Sequence, residues 1–321
     1  MEKPFAELFG QINVKKRLNF YLKAFEKTSL CPFLLLVGAK GLGKTEFARQ
    51  FGGNLKNMDG KNRPFLEMNC STIKNLEGFF DQIHIPLIMD SEITVLFDEA
   101  HELPKDVTNA FLTIFNTERG HTRDFHWRDG QYPFDFKQQT FLFATTEPDK
   151  LFPPLKDRLT TVDFEDYLPS ELAQILESQV EGIAFEDKAL LEVAKTSRGN
   201  ARDCVKVAKE IQIWCAANDT NIFRLKDFKQ FTDDLGINPL GVSHIEKKLL
   251  SILRKDGQAS LQELCAKTGL SRTAIQRDVE LYLMKKSLIK IDGKRHITKE
   301  GSDYIDKFSP PKIKDVKKKI K

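Results

Sequence analysis

The sequence predicts an α/β fold, built on a parallel sheet and followed by an all-helical domain and a winged helix-turn-helix domain. Three observations predict it. Between about residues 33 and 164, short apolar runs alternate with helical patterns, as in a parallel sheet covered on both faces. After Pro169 the patterns are helical only. The last segment then combines three helical patterns with a hairpin turning at Asp292-Gly293.

The first domain contains five predicted strands, in order FLLLVGA, PFLEMNC, ITVLFDE, TFLFATT and TVDFEDY, after a helix in QINVKKRLNFYLKAFEKT. Ser170 is placed to cap the first helix of the second domain, and Gly199 breaks the next two helices apart. The predicted division is therefore a large domain over 1–163, a helical lid over 164–236, a winged helix over 237–308 and a basic tail over 309–321.

Composition narrows the class of protein. The chain has 321 residues, of which 40% are apolar and 30% charged, a profile typical of soluble globular proteins with two or three domains. Its longest apolar run is far shorter than the ~20 residues that a membrane helix needs. The N-terminus lacks the apolar core of a signal peptide. The five cysteines are scattered without a CxxC pair, which argues against a zinc site and favours a reducing cytoplasm.

Charge is distributed unevenly along the chain. Residues 240–321 contain 20 Lys and Arg against 10 Asp and Glu, whereas the remainder has 30 against 36. A basic end of this kind indicates that a polyanion such as DNA binds there. The alternative is a solvated basic surface without a ligand.

The stretch GAKGLGKT, Gly38 to Thr45, has the spacing of a phosphate-binding loop and follows an apolar strand directly. Glycines let the backbone curl so that its N–H groups surround phosphate oxygens, and the next helix begins at the anion. In this motif, Lys44 reaches the β- and γ-phosphates and the Thr45 hydroxyl holds Mg²⁺. The predicted loop residues are Gly38, Gly41, Leu42, Gly43, Lys44 and Thr45.

Two further strands end in polar residues that belong beside this loop. ITVLFDE delivers Asp98, which we expect to support Mg²⁺ with Thr45, and Glu99, which we expect to polarise the attacking water. TFLFATT ends in Thr145 and Thr146, which either contact the γ-phosphate or the water, or simply cap the strand. Together these motifs predict nucleoside-triphosphate hydrolysis.

The order of motifs GLGKT, VLFDEAHEL, ATTEP, PLKDRL and RGNARD resembles that of the AAA+ ATPases and, within them, the RuvB family of Holliday-junction branch-migration motors. The resemblance covers about residues 5 to 304. It implies an AAA+ fold, ATP and Mg²⁺ as cofactors, and a ring, expected to be a hexamer. It also implies site roles, with adenine beside Gly10 and Gln11, a sensor at Thr146, a lid arginine at Arg202 and an arginine finger at Arg158. The alternatives are a surface arginine at 202 and an ion pair between Arg158 and Asp157.

The resemblance is imperfect in places. Ala39-Lys40 stands where the family usually has two prolines, and Glu147 where it usually has arginine. The family's hairpin that docks on the junction-binding partner RuvA corresponds here to residues 119–139. This stretch contains an Arg-Asp-Gly turn and a group of aromatic residues. Exposed aromatics would favour a protein interface with such an adaptor, and the alternative is that some of them pack on the domain: Phe125, Trp127, Tyr132, Phe134 and Phe136.

In the last domain, Ile275, Val279 and Leu283 share one helix face, which leaves Arg272 and Gln276 on another face for DNA. Such a helix packs on protein in many winged modules. The hairpin tip predicts two projecting cations, Lys294 and Arg295, which the resemblance assigns to duplex DNA.

The preferred function is therefore an ATP-driven motor that moves duplex or junction DNA. The alternatives are a clamp-loader-like switch and a helicase-loader-like switch in replication.

Overall fold

The computed structural model describes residues 4–116 and 120–308. These residues divide into two compact units, one of the described residues up to Gln179 with Gly199–Lys206, the other of Val180–Arg198 with the described residues from Val207 onward. This division differs from the expected boundaries at 163 and 236. The first helix of the predicted lid and Gly199–Lys206 group with the large sheet, whereas the other lid residues group with the winged helix. The basic tail predicted over 309–321 lies outside the described residues.

The first unit contains the large sheet and its helices. Its elements are α1 (Ile12–Thr28), β1 (Leu34–Val37), α2 (Lys44–Asn54), β2 (Phe65–Asn69), α3 (Leu76–Phe79), β3 (Ile93–Asp98), α4 (Lys105–Ile114), β4 (Thr122–Trp127), β5 (Gly130–Asp135), β6 (Gln139–Thr145), α5 (Pro153–Lys156), β7 (Thr160–Asp163) and α6 (Pro169–Gln179). A π-helical stretch at Phe80–Ile88 continues α3. All five predicted strands are present.

The sheet has the order β2-β3-β6-β1-β7, and every neighbouring pair is parallel. Strand β6 is buried along its whole length and β3 along all but its last residue, as expected of central strands covered on both faces. In this register Val37 lies opposite Thr145, and Asn69 opposite Asp98. The carboxyl ends of β1, β3 and β6 therefore meet at one edge of the sheet, which is where ligands bind in open α/β sheets.

Phenylalanine builds much of the core beneath this edge. The chain has 25 Phe residues, and each of the twelve largest fully buried side chains is a phenylalanine. Phe97 of β3 stacks on Phe143 of β6 at 5.1 Å between ring centroids, and Phe111 of α4 lies 5.1 Å from Phe97. Aromatic pairs at such distances add stabilisation beyond their buried area. The abundance of phenylalanine therefore serves packing.

Strands β4 and β5 form an antiparallel hairpin, as predicted, and its aromatic residues pack on the domain, which was the alternative to exposure. Side chains alternate across the hairpin, so that its aromatic face packs on the domain and its outer face is polar. Phe125 and Trp127 stack on Phe80 at 5.4 and 4.9 Å. Phe134 and Phe136 are buried, and Tyr132 is half-buried against Phe80. Burial of these aromatic side chains removes apolar surface from water and so stabilises the domain.

The second unit joins lid helices to the winged helix. Its remaining elements are β8 (Ala184–Phe185), α7 (Asp187–Thr196), α8 (Ala201–Ala217, which begins in the first unit), β9 (Ile222–Phe223), α9 (Leu225–Leu235), α10 (His244–Asp256), β10 (Gln258–Ala259), α11 (Leu261–Thr268), α12 (Arg272–Ala274), α13 (Leu281–Lys285), β11 (Ile289–Asp292), β12 (Lys294–Ile297) and α14 (Lys299–Phe308). A π-helical stretch at Ile275–Glu280 connects α12 to α13. Strands β10, β12 and β11 form the three-stranded wing sheet.

The helix that spans α12 to α13 has the predicted faces. Ile275, Val279 and Leu283 belong to the apolar core of the winged helix, whereas Arg272 and Gln276 are exposed. Polar side chains are thus available along this helix.

At the hairpin tip only one of the two cations predicted to project, Lys294, is exposed. Gly293 turns the chain with φ +64°, and Lys294 after it is exposed. Arg295 is only 8% exposed, because its side chain points into the domain toward Glu280. Side chains alternate along a strand, so two successive residues of β12 cannot both face solvent on the same side.

No helix within the described ranges is long and apolar enough to cross a membrane.

Candidate functional site: a nucleotide pocket at the sheet edge

The loop between β1 and α2 has the conformation that its glycines permit. Gly41 and Gly43 have φ of +85° and +91°, a region that other residues rarely adopt. Helix α2 begins at Lys44, so its free N–H groups and the positive end of its dipole face the loop. Leu42 is buried, and its carbonyl accepts a hydrogen bond from the Tyr167 hydroxyl at 3.1 Å. The loop forms a cradle for an anion.

Lys44 lies inside this cradle. Its ammonium donates to the carbonyls of Gly38 and Ala39 at 2.7 and 3.1 Å. Burial lowers the pKa of Lys44, whereas the carboxylates of Glu99 and Asp98 act in the opposite direction. Desolvation disfavours the charged ammonium, and a phosphate in the cradle would offset that cost. The lysine is thus held where a triphosphate would meet it.

The predicted residues of the sheet edge are brought together. Thr45 Oγ1 donates to Asp98 Oδ2 at 3.2 Å, and Thr146 Oγ1 donates to Glu99 Oε2 at 3.0 Å. Glu99 has a left-handed backbone with φ +53°, which turns its side chain away from the strand direction. Two carboxylates thus lie close together in different settings, one paired with the loop hydroxyl and the other with the third strand.

Thr45 and Asp98 fit a magnesium ion by the chemistry of their donors. Mg²⁺ prefers oxygen ligands and usually keeps several waters, so that proteins supply only one or two oxygens besides the substrate phosphates. A hydroxyl and a carboxylate oxygen 3.2 Å apart match that pattern. Among the described residues there is no group of three or more His, Cys, Asp or Glu side chains arranged for a metal, so a dedicated protein cage is not offered there.

The cradle lines a cavity of about 380 Å³. Its wall includes the predicted polar residues Lys44, Thr45, Asp98, Glu99 and Thr146, and also a group of larger, mostly apolar side chains: Leu8, Phe9, Tyr167, Ile175 and Val205. Sequence reasoning missed this second group, because its members come from segments far apart in the chain. A pocket lined by a few polar groups together with apolar and aromatic side chains suits a nucleotide.

Gly10 and Gln11, which the resemblance places beside the adenine, do not belong to the cavity wall. The Gln11 side-chain amide is engaged with the backbone of Glu165, donating to its carbonyl at 2.6 Å and accepting from its N–H at 3.3 Å. These two hydrogen bonds between the amide and the backbone of Glu165 hold the entry to α1 in place. The adjacent Leu8 and Phe9 take the wall position instead.

Arg202 reaches the pocket from the start of α8. Its side chain is exposed at the cavity wall, and its positive charge contributes to lowering the pKa of Lys44. The backbone N–H of Arg202 donates to Gly41 O at 3.2 Å, and Asn200 Nδ2 donates to Lys40 O at 2.6 Å. A Cβ on Gly41 would meet the Asn200 amide at 2.1 Å, so the close approach requires glycine. Asn200 is a further site residue that the sequence reading missed.

Arg158 does not belong to this cavity. Its Nε donates to Leu112 O at 3.1 Å and its Nη1 to Pro154 O at 2.6 Å, so two carbonyls hold the half-buried guanidinium. Among the described residues it makes no ion pair with Asp157, and Nη2 has no hydrogen-bond partner. The side chain is thus held rigidly by α4 and α5 with one nitrogen left free.

Comparison with known proteins agrees with this architecture. The family model described as AAA domain (dynein-related subfamily) matches residues 33–159, and the RuvB C-terminal winged helix domain matches residues 239–306. The Holliday junction branch migration complex subunit RuvB of Campylobacter jejuni (strain RM1221) is 28% identical over 312 residues, which cover 91% of this chain and 87% of the relative. The protein of the same name from Fervidobacterium nodosum is 24% identical and covers 92% and 85%.

A solved structure extends the comparison to the fold. The Thermotoga maritima RuvB Holliday junction branch migration motor has a TM-score of 0.74 at 21% identity, with 96% of this chain and 99% of that chain covered. The resemblance, fold class and ATP hydrolase activity predicted from the motifs are therefore confirmed, and the clamp-loader-like alternative is not favoured. In its AAA domain and in its C-terminal winged helix domain, the chain is similar to the RuvB family of AAA+ ATPases.

Proposed function

We propose that this chain is the motor subunit of a ring that uses ATP to drive branch migration of Holliday junctions. The observation that carries the proposal is that one chain contains both the nucleotide pocket and a basic winged helix. The Campylobacter jejuni relative aligns with 91% of this chain, which includes both parts. An ATPase without a DNA-facing domain would lack the second part.

In this proposal, hydrolysis takes place at the edge of the sheet. The loop and Lys44 bind the phosphates, and Thr45 with Asp98 would hold Mg²⁺, which neutralises phosphate charge when bound. Glu99 accepts a proton from the attacking water. The Thr146 hydroxyl, 3.0 Å from Glu99 Oε2, orients that carboxylate and would sense the γ-phosphate.

Two arginines complete the proposed reaction. Arg202 contacts the γ-phosphate from the lid, and its N–H bond to the loop at Gly41 keeps the start of α8 at the cradle. Arg158 is supplied to the pocket of the next subunit, which fits a guanidinium held by two carbonyls outside its own pocket. An arginine supplied in trans stabilises transition-state charge and is worth ~10³–10⁵ in rate. Assembly, with a hexamer as the expected ring, is then a condition of activity.

The winged helix is proposed to grip duplex DNA through its backbone phosphates. Lys294 at the hairpin tip and Arg272 with Gln276 on the exposed helix face are the candidate contacts. A motor must move along any sequence, so phosphate contacts suit it better than base contacts. Arg295 is withdrawn from this set because its charge is buried against Glu280.

A RuvA-like junction-binding adaptor is the proposed protein partner, docking on the hairpin within residues 119–139. Because the aromatic face of that hairpin is buried, the adaptor would meet the polar outer face, which includes Asp124, His126 and Gln131. Action in the cytoplasm is part of this proposal.

The test is ATP-dependent dissociation of a synthetic four-way junction, with and without a RuvA protein. We expect junction dissociation and continuous ATP turnover on DNA, both lost in Lys44→Ala. Exposed Lys61→Ala serves as the matched control and should behave as the wild type. A single turnover per loading event, with no dissociation of the junction, would instead support the switch alternative.

A further inference from the structure

His101 occupies the centre of a cluster next to the proposed catalytic carboxylate. Its ring is only 6% exposed, and its Nδ1 lies 2.9 Å from Thr145 Oγ1. On the other side, its Nε2 lies 3.2 Å from Glu147 Oε2 and 3.4 Å from Glu102 Oε1. Glu99 Oε2 is 3.6 Å from Nδ1, beyond hydrogen-bond distance. The imidazole therefore connects the loop after β3 with the end of β6.

The orientation of this ring is fixed from both ends. A proton on Nε2 is donated to a carboxylate, whether the ring is neutral or charged, and Thr145 is the partner of Nδ1 in both states because a hydroxyl can donate or accept. Thr145 itself is held, since its Oγ1 accepts the N–H of Glu147 at 3.1 Å. Glu147 thus contributes twice, through its backbone to Thr145 and through its side chain to Nε2.

Of the two carboxylates near Nε2, Glu147 is the better held. Its side chain is 21% exposed, against 52% for Glu102, and Lys150 lies 2.8 Å from the same oxygen. A partly buried, charge-assisted pair constrains geometry more than an exposed one. Without Glu147 the ring would keep only the exposed partner and could turn Nδ1 from Thr145 to Glu99.

We propose that Glu147 is a positioning residue for hydrolysis, which holds His101 against Thr145 and so keeps the imidazole from binding Glu99. Glu99 is then left with Thr146 as its hydrogen-bond donor and with a free oxygen for the attacking water. This inference rests on the proposed role of Glu99. It assigns to Glu147 an effect on the chemical step and none on nucleotide binding, because Glu147 does not line the nucleotide cavity.

The experiment measures kcat and KM for ATP in the assembled full-length protein. We expect Glu147→Ala to lower kcat about tenfold with KM changed less than about twofold, the pattern of a lost transition-state interaction. Glu147→Gln, whose amide oxygen still accepts from Nε2, should recover most of kcat. Glu102→Gln, at the same nitrogen but exposed, is the matched control and should stay within about twofold of wild type.

Two further variants keep the inference falsifiable. His101→Ala removes the imidazole that would bind Glu99, so its kcat should stay within about twofold of wild type. The double variant should recover the kcat that Glu147→Ala loses, since residues acting as a unit are non-additive. If Glu147→Ala fails to fold, Glu147→Asp, whose shorter side chain cannot reach Nε2 in the same way, replaces it in both comparisons. Normal kcat in the folded Glu147 variant, or a loss that the double variant retains, would overturn the inference. Glu99→Gln distinguishes failure of the proposed function from failure of this inference about Glu147. If Glu99→Gln still hydrolyses ATP, the proposed function of the site fails. If it is inactive while Glu147→Ala is normal, only this inference fails.

Discussion

Arg295 and Glu280 form a buried two-point ion pair in the winged helix. Arg295 Nε lies 2.7 Å from Glu280 Oε1, and Nη2 lies 3.1 Å from Oε2. The side chains are 9% and 4% exposed. This pair connects strand β12 of the wing with the π-helical stretch before α13. Arg295 was expected to face DNA, but in the structure its role is to stabilise the domain.

Arg295→Ala should therefore reduce stability more than it reduces DNA binding. Removing one partner leaves a buried carboxylate without its counter-charge, a change that typically costs about 3–5 kcal/mol. Urea unfolding followed by circular dichroism measures the free energy of unfolding. Exposed Lys294→Ala is the control and should change it by less than about 0.5 kcal/mol. Equal stability of the two variants would contradict the buried pair.

His84 should make the stability of the first unit depend on pH. It is fully buried, neither ring nitrogen has a hydrogen-bond partner, and its ring stacks on Phe134 at 4.2 Å between centroids. Burial lowers the pKa of His84 from 6.5 to about 4. Between these two pKa values, His84 is thus protonated in the unfolded chain and neutral in the folded chain. Stability is fully present above pH 6.5 and is lost as the pH falls toward 4, by about 3 kcal/mol.

His84→Phe keeps a stacked ring without a titrating nitrogen. Its free energy of unfolding, measured in urea between pH 7.5 and about 4.5, should fall less steeply than that of the wild type. His126→Phe, at an exposed position on the same domain, should keep the wild-type slope. Identical slopes for wild type and His84→Phe would show that His84 does not contribute.

Mixing two inactive variants tests whether Arg158 acts on a neighbouring subunit. Arg158→Ala and Glu99→Gln should each be inactive in ATP hydrolysis when assembled alone. In a one-to-one mixture, about one interface in four pairs an intact Glu99 with a neighbour's intact Arg158, as expected for random placement around a ring with head-to-tail contacts. Partial recovery of hydrolysis is therefore expected. If the mixture stays silent although co-assembly is demonstrated, Arg158 acts within its own subunit.

Lys294→Ala should weaken DNA binding in a manner that depends on salt. Loss of one phosphate contact lowers the slope of log K against log salt by about 0.9 per site on duplex DNA. Fluorescence anisotropy of a labelled duplex between low and moderate salt gives that slope. Arg254→Ala is the control, because Arg254 is paired with Asp306 on α14. An unchanged slope for Lys294→Ala would exclude the hairpin tip from the DNA contact.

Local patterns predicted the elements of the fold well, and the physical reason is periodicity. Alternating strands and helices, the glycine loop and the Asp292-Gly293 turn are properties of neighbouring residues, so they are readable from the chain. The same holds for the exposed face of the helix with Arg272 and Gln276. The apolar part of the cavity lining could not be predicted in this way, since Leu8, Tyr167 and Val205 come together only through folding.

The sequence by itself indicated the family resemblance, the nucleotide chemistry and the order of domains, because each depends on short motifs of neighbouring residues and on their order along the chain. Only the tertiary structure decided which way side chains face. It buried the hairpin aromatics against Phe80, paired Arg295 with Glu280 and placed Glu147 beside His101. The physical reason is that burial and pairing depend on partners distant in the chain, and a charge or ring takes the environment that lowers its free energy most.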